Sequence, residues 1–182
     1  RQKIRRLLKQ VETSSEYRIT VATPETFDGD LKTLLGFWGT KWRARKADRI
    51  DSLIRSNGTM LTRSFRSGLV YLPTFWHGER PVAALATLVE PRKRTFSFYM
   101  TGRDETFEGP PAGVLLHAYS IRHPIERGFV EYVFLRGNEP YKYSYGCAER
   151  KLRSIVLETR NGKNLGGRID ARCIPDLLQQ AT

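Results

Sequence analysis

The stretch RTFSFYMTGRDETFEGPPAGVLLHAYSIRHPIERGFVEYVFL, residues 94–135, places one helical segment between two strand-like segments. Residues 94–102 and 129–135 are rich in β-branched and aromatic side chains, which favour strands. Between them, apolar residues recur at the spacing of one helix face: Val114, Ala118, Ile121 and Ile125. Two strands joined by a helix pair in parallel through a right-handed crossover. The stretch therefore predicts a βαβ unit.

Three strand-like segments in meander order lead into this unit: LVYLPTFW, RPVAALATLVE and the first strand of the unit itself. They are separated by short turns, one at His77-Gly78 and one around Pro91. Turns this short join antiparallel neighbours. Together with an opening strand in YRITVAT, residues 17–23, the pattern predicts a mixed sheet.

Two helices are predicted between the opening strand and the meander. The first carries an apolar stripe that includes Trp38 and Trp42, with Asp28 or Asp30 as its cap. The second covers residues 48–66, and Asn57-Gly58 is a predicted weak point. The fold class is thus α/β (α+β), with helices on both faces of the sheet.

Residues 1–12 predict a short amphipathic helix with basic residues opposite an apolar stripe: Ile4, Leu7, Leu8 and Val11. We expect this stripe to be covered by a missing amino-terminal half or a second copy. The predicted division is a linker helix at residues 1–16 and one domain at residues 17–182. In the last part of the chain, residues 151–159 predict a strand, 160–168 a loop and 174–181 a helix.

The chain has 182 residues and a formal net charge of +12. This charge favours an anionic partner, such as a nucleotide phosphate, tRNA, an acidic carrier protein or a membrane surface. Its two cysteines, Cys147 and Cys173, exclude a disulfide framework and favour a cytoplasmic location. The sequence predicts no transmembrane segment and no metal site, since the three histidines lack ligand spacing.

The stretch FLRGNEPYKYSYG, residues 134–146, begins as a strand and then mixes three charges with three tyrosines. A loop seldom needs so many aromatic rings, and a core seldom tolerates so many charges, so the pattern predicts the wall of a site. The charged groups and phenols of this stretch are of the types that act as a base, as a stabiliser of negative charge and as a proton donor. Glu139, Lys142 and Tyr141 are candidates for these three roles in that order. The alternative is that Glu139 pairs with Lys142 while Tyr141 packs on the sheet.

The order of elements is that of the GNAT acyltransferase superfamily, and LRGNEPYKYSYG resembles the LRGDEPYK signature of the CelD-like cellulose-biosynthesis acetyltransferases. HGERPVAALATL and the segment from FSFYMTG to the end of the following helix are similar to that family as well. Its members resemble FemAB-type aminoacyl transferases in having two GNAT-like halves. The resemblance implies that this chain is the carboxy-terminal half. It departs from the family at Val133 and Asn138, each of which stands where the family usually has Asp.

The resemblance also implies a donor, acetyl-CoA or another acyl-CoA, and an amine or hydroxyl acceptor that is a small molecule or a peptide. The residues that correspond to the family's pyrophosphate loop are Gly109, Ala112, Gly113 and Val114, with Arg136 at the end of the strand as a phosphate ligand. Pro110 and Pro111 lack the N–H groups that such a loop donates. Three functions therefore stay open: an acyltransferase, a non-catalytic half that completes a two-half enzyme, and a tRNA-dependent transferase or nucleic-acid-binding module.

Overall fold

A mixed β-sheet forms the centre of the protein in the computed structural model, which describes residues 2–150. The described strands are β1 (Tyr17–Val21), β2 (Val70–Tyr71), β3 (Pro73–His77), β4 (Arg80–Glu90), β5 (Thr95–Arg103) and β6 (Glu131–Val133). Their order in the sheet is β1-β3-β4-β5-β6, and β2 pairs with β4. These elements belong to the unit formed by residues 1–147. The strand, loop and helix predicted at residues 151–181 lie outside the described residues.

Helices cover both faces of this sheet, as predicted. They are α1 (Gln2–Thr13), α2 (Phe27–Lys46), α3 (Ile50–Arg66), α4 (Ala112–Glu126) and the short α5 (Pro140–Tyr143), with a 3-10 turn at Ala47–Arg49 between α2 and α3. One core cluster joins the sheet to α1 and α4, and a second joins it to α2 and α3. The sheet is therefore the middle layer of three.

The βαβ prediction is confirmed by the pairing of β5 with β6. The two strands are parallel, and Thr95, Phe96 and Ser97 lie opposite Glu131, Tyr132 and Val133. The meander is confirmed too, because β3, β4 and β5 pair antiparallel in sequence. The strand predicted at residues 129–135 is wrong in length: β6 has three residues, and Leu135 adopts a positive φ of 57° that turns the chain away.

Two local predictions for the helices are wrong. The N-cap of α2 is Thr26, while Asp30 lies within the first turn, is buried, and accepts a hydrogen bond of 2.6 Å from the hydroxyl of Thr74 on β3. The Asn57-Gly58 pair does not interrupt α3. The amide of Asn57 donates to the Leu53 carbonyl at 2.8 Å, and its carbonyl oxygen accepts from the hydroxyl of Tyr99, so tertiary bonds stabilise this turn.

The expectation that the apolar stripe of α1 is covered by another half or copy is also wrong. Leu8 and Val11 are 7% and 3% exposed, and they belong to the same core cluster as Leu115 of α4 and Phe75 of β3. An apolar stripe packs against the nearest complementary surface, and here that surface is α4. Helix α1 therefore stabilises this domain directly.

Replacing Leu8 with alanine should lower the free energy of unfolding by about 2–4 kcal/mol, because it leaves a cavity between α1 and α4. Denaturant unfolding followed by circular dichroism measures the change. The matched control is Ile125→Ala on α4, where the side chain is 66% exposed and the expected change is within about 0.5 kcal/mol. A Leu8→Ala variant as stable as the control would contradict the assignment of α1 to the core.

Candidate active site

An opening in the sheet begins where β5 separates from β6. The two strands pair over Thr95–Ser97 only, so residues 98–103 of β5 have a strand neighbour on the β4 side alone within the described part of the chain. The register with β4 shifts between Ala86 and Thr87, which leaves Tyr99 as an extra residue at a bulge. Ligands of open α/β sheets bind at the carboxyl ends of parallel strands, and this opening lies at that edge.

The first turn of α4 faces this edge with free backbone donors. Pro111 is the N-cap, and the first hydrogen bond of the helix runs from the Leu115 N–H to the Pro111 carbonyl at 3.0 Å. The N–H groups of Ala112, Gly113 and Val114 precede it and have no carbonyl one turn earlier in the helix. The first turn contains no acidic residue. Free donors and the positive end of the helix dipole together favour an anion here.

A cavity of about 240 Å³ adjoins this turn. Its lining residues are Arg103, Asp104, Glu105, Phe107, Gly109, Pro110, Pro111 and Ala112. The Phe107 ring anchors the wall because it packs edge-on against Phe75 at 6.2 Å between centroids. A Cβ on Gly109 would lie 2.3 Å from that ring, so a larger residue at this position would displace the ring. The structure places Gly109 and Ala112 in the wall of one cavity.

The two carboxylates of the cavity are ionised and paired. Hydrogen bonds from the side chain and backbone of Thr106 lower the pKa of Asp104, and Arg80 lowers it further. The pKa of Glu105 is lowered chiefly by its hydrogen bond with Arg103, and the charge of Lys41 contributes. Basic partners therefore offset the negative charge beside the helix start, and an anionic ligand still fits there.

Sequence reasoning missed this pair of carboxylates and their partners. Residues 104–107 directly follow β5, which ends at Arg103, and side chains at this end of a strand of the βαβ unit lie at its ligand-binding edge. Their position at the end of this strand could have identified them as candidate site residues.

A second, larger groove of about 340 Å³ lies toward the other end of α4. Arg122, which lines it, is engaged with Glu12 and Glu126. His123 accepts a bond from Arg127 through Nδ1 at 2.9 Å. This end of the helix presents carbonyl oxygens, which repel anions, so the groove is a poorer place for phosphates than the first turn.

The predicted catalytic stretch folds into a tight turn that Lys142 holds together. The Lys142 side chain is buried, and its ammonium group donates to the carbonyls of Arg136 at 2.8 Å and Gly137 at 3.2 Å. It also lies 2.7 Å from Oε2 of Glu139, and this hydrogen bond lowers the pKa of the Glu139 carboxyl. A carboxylate with a lowered pKa is a weaker base, and an ammonium with three partners has no donor left for an oxyanion. These contacts favour a structural role for both residues.

Two tyrosines of the same stretch lie over α4. Tyr145 donates from its hydroxyl to the Val114 carbonyl at 3.2 Å, and its ring centroid is 5.8 Å from that of His117. The Tyr141 ring is 5.4 Å from the same imidazole. Burial raises the pKa of both phenols, that of Tyr145 to about 12, so both keep their protons at neutral pH. Tyr145 thereby ties the stretch to the first turn of α4.

The predicted residues thus form two groups, one at the start of α4 and one in the turn at residues 136–142. Gly109, Ala112, Gly113 and Val114 lie at the helix start. Tyr145 connects the second group to the first through its hydrogen bond to the Val114 carbonyl. The side chain of Arg136 is exposed in the turn and does not line the cavity. A phosphate contact by Arg136 therefore stays a prediction.

Comparison with known families agrees with this arrangement. Residues 1–143 match the model of a family described as acetyltransferase (GNAT) domain, which is more than three quarters of the chain. The chain belongs to this GNAT acetyltransferase family. GNAT acetyltransferase domains use acyl-CoA donors. No curated protein matches the sequence at a significant level.

Solved structures with the same fold are also acetyltransferases by their descriptions. A GCN5-related N-acetyltransferase from Ralstonia eutropha JMP134 has a TM-score of 0.60 at 14% identity over 78% of this chain and 98% of its own. An aminoglycoside acetyltransferase from an uncultured soil metagenomic sample, in complex with sisomicin, has a TM-score of 0.56 at 12% identity over 79% and 97% of the two chains. At these identities the likeness shows the shared fold.

Within residues 2–150, no helix combines the length and the apolar character that a membrane span needs. Over the same range, no group of three or more His, Cys, Asp and Glu side chains is arranged to hold a metal ion.

The buried His117 should make the domain sensitive to acid. Burial and the neighbouring Lys142 ammonium lower its pKa to about 4, against about 6.5 in an unfolded chain. Between these values the unfolded chain binds the extra proton, so stability falls by about 2–3 kcal/mol as the pH drops from 6.5 to 4. Melting temperature measured across this range should decline less steeply for His117→Gln than for the natural chain. The exposed His77→Gln variant should keep the natural slope, and equal slopes in all three proteins would contradict the prediction.

Removing the ammonium group of Lys142 should destabilise the fold. In Lys142→Met the carbonyls of Arg136 and Gly137 lose a charged donor, with an expected loss of about 2–3 kcal/mol in the free energy of unfolding. Denaturant unfolding measures it, with the exposed Lys32→Met as control. A Lys142→Met variant of natural stability that has lost turnover would instead support the catalytic role predicted from the sequence.

Proposed function

We propose that this GNAT domain transfers an acetyl group from acetyl-CoA to an amine or hydroxyl acceptor, with the donor phosphates at the start of α4. The observation that carries the proposal is the cavity beside three free backbone donors, those of Ala112, Gly113 and Val114. Charge supports it as well, because the first turn has no acidic residue and the nearby carboxylates are paired.

Acetyl-CoA supplies the activated acetyl group, and the chain must orient it toward the acceptor and supply a proton to the leaving sulfur. The phenols of Tyr141 and Tyr145 are protonated, and Tyr145 is anchored on the first turn of α4. We assign the proton donor to Tyr141, because the O–H group of Tyr145 is already donated to the Val114 carbonyl.

The sequence supports two finer proposals. The first rests on the signature resemblance and is membership of the CelD-like group, with this chain as the carboxy-terminal half of a FemAB-like enzyme of two GNAT-like halves. The second is a cytoplasmic location, which rests on the presence of only two cysteines. Sequence preceding residue 1 that encodes another GNAT-like half would support the first.

A second candidate function is that of a non-catalytic half. The contacts of Lys142 favour it, since they remove a cation from the chemistry and assign it to the turn at residues 136–139. The absence of a carboxylate at Val133 and Asn138 is consistent with it. This candidate predicts a stable domain without turnover, with or without acetyl-CoA affinity.

Replacing Gly113 with aspartate should weaken donor binding without destabilising the fold. A Cβ at this position meets no atom within 4 Å, so an aspartate side chain fits, and a carboxylate in the first turn of a helix favours the helix. The same carboxylate, however, would repel the negatively charged phosphates of acetyl-CoA. We expect Gly113→Asp to retain its melting temperature and to bind acetyl-CoA about tenfold to a hundredfold more weakly in calorimetry.

The matched control is Gly29→Asp. It introduces the same residue into the first turn of α2, where a Cβ also meets no atom within 4 Å. It should leave acetyl-CoA affinity within a factor of about two. Equal affinity of the Gly113→Asp variant and the natural chain would place the donor elsewhere.

A further inference from the structure

The carboxy-terminal part of α2 borders the proposed active site. The middle of this helix lies directly on the end of β5, because a Cβ on Gly102 would be 2.7 Å from both the Phe37 Cβ and the Trp38 backbone nitrogen. One turn later, Lys41 is close enough to Glu105 for its charge to lower the pKa of that carboxyl. The segment after Trp38 thus lies close to Glu105 in the wall of the 240 Å³ cavity, where we place the donor phosphates.

This segment and the start of α3 carry an excess of positive charge. Residues 41–55 contain two acidic side chains, Asp48 and Asp51, and six basic ones: Lys41, Arg43, Arg45, Lys46, Arg49 and Arg55. Among the described residues, Arg43 is the one of the six in an ion pair, at 3.5 Å from Asp51. All six are exposed. We call residues 41–55 the basic corner.

Trp42 orders two of these cations. The guanidinium carbon of Arg45 lies 5.5 Å and the ammonium nitrogen of Lys46 5.4 Å from the centre of the Trp42 ring. The indole is itself fixed, since it is partly buried and packs on Trp38 with centroids 6.5 Å apart. Cations held on a ring lose less conformational entropy when they bind an anion than freely moving side chains do.

Fold stability explains only part of the positive charge of the basic corner. Cations in the last turn of α2 are favourable with the helix dipole, which accounts for Arg45 and Lys46 on stability grounds. Arg49 is the N-cap of α3, where a positive charge is unfavourable for the same reason. A sequence that places positive charge where the fold loses stability indicates a function for that charge.

We propose that the acceptor of this GNAT domain is a small anionic molecule, an amine or alcohol that carries a carboxylate or phosphate group bound by the basic corner. This inference rests on the proposed function and specifies its acceptor class. In the reaction the acceptor nitrogen or oxygen bonds to the acetyl carbon while the carbon–sulfur bond breaks. The acceptor loses a proton to a base, and the thiolate that leaves takes one up. The acceptor's anionic group stays on Arg45 and Lys46, beyond the reacting atoms.

The test uses the full chain with acetyl-CoA and two pairs of acceptors that differ in charge. Ethanolamine is compared with phosphoethanolamine, and β-alaninamide with β-alanine, so that the effects of a phosphate and of a carboxylate are measured separately. The anionic member should have at least about tenfold higher kcat/KM in one pair, through a lower KM, and the preference should shrink as salt is added.

The double variant Arg45→Gln/Lys46→Gln should abolish this preference by raising the KM of the anionic acceptors, and calorimetry with acetyl-CoA reports separately on the donor site. The matched control is Arg63→Gln/Arg66→Gln, which removes the same charge from the exposed far end of α3 and should keep the preference. Titration of the acetyl-CoA-loaded chain with phosphoethanolamine, followed by Trp42 side-chain NMR resonances, gives a binding readout that does not need turnover.

The proposal is overturned if neither anionic probe perturbs Trp42 and neither is preferred, or if the control pair abolishes the preference equally. It is also overturned if a single-stranded oligonucleotide, but neither small probe, binds through Arg45 and Lys46, since the corner then serves nucleic acid. Failure of the proposed function differs from all of these, because the natural chain would then not bind acetyl-CoA.

Discussion

The early separation of β5 from β6 is the constraint on which the candidate site depends. Three residue pairs hold the strands together, and the left-handed conformation of Leu135 then turns the chain out of the sheet. A non-glycine residue in that conformation is strained, so the surrounding structure must hold it. Lys142 does so through the carbonyls of Arg136 and Gly137. The cation thus maintains the opening that the first turn of α4 faces.

Apolar packing holds α4 on the sheet. Leu115 and Leu116 are fully buried and belong to the same core cluster as Phe75 of β3 and Val82 of β4. Four buried polar atoms, the hydroxyls of Tyr71, Ser120 and Tyr132 and Nδ1 of His117, have no hydrogen-bond partner within residues 2–150.

The sequence was sufficient for the elements whose side chains repeat with a clear period. The stripe on α2, the long run of β4 and the βαβ unit were predicted because their burial follows from local spacing. What covers the stripe of α1 was not predictable, because periodicity identifies a buried face and not its partner. The contacts of Lys142 were not predictable for a related reason, because its partners include backbone carbonyls, which every residue carries. The cavity residues Arg103, Asp104, Glu105 and Phe107 were missed although their place at the end of β5 was predictable.

The contact of α2 with Gly102 limits how related domains can diversify. With helix backbone and side-chain atoms 2.7–2.9 Å from the position of a missing Cβ, no larger residue fits without moving the helix. The backbone of α2, where we propose that the acceptor binds, is thereby fixed relative to β5, which leads to the proposed donor cavity. New acceptor preferences would then arise by exchanging exposed side chains on a constant framework, and a glycine at this strand position would be expected wherever the same helix placement is kept.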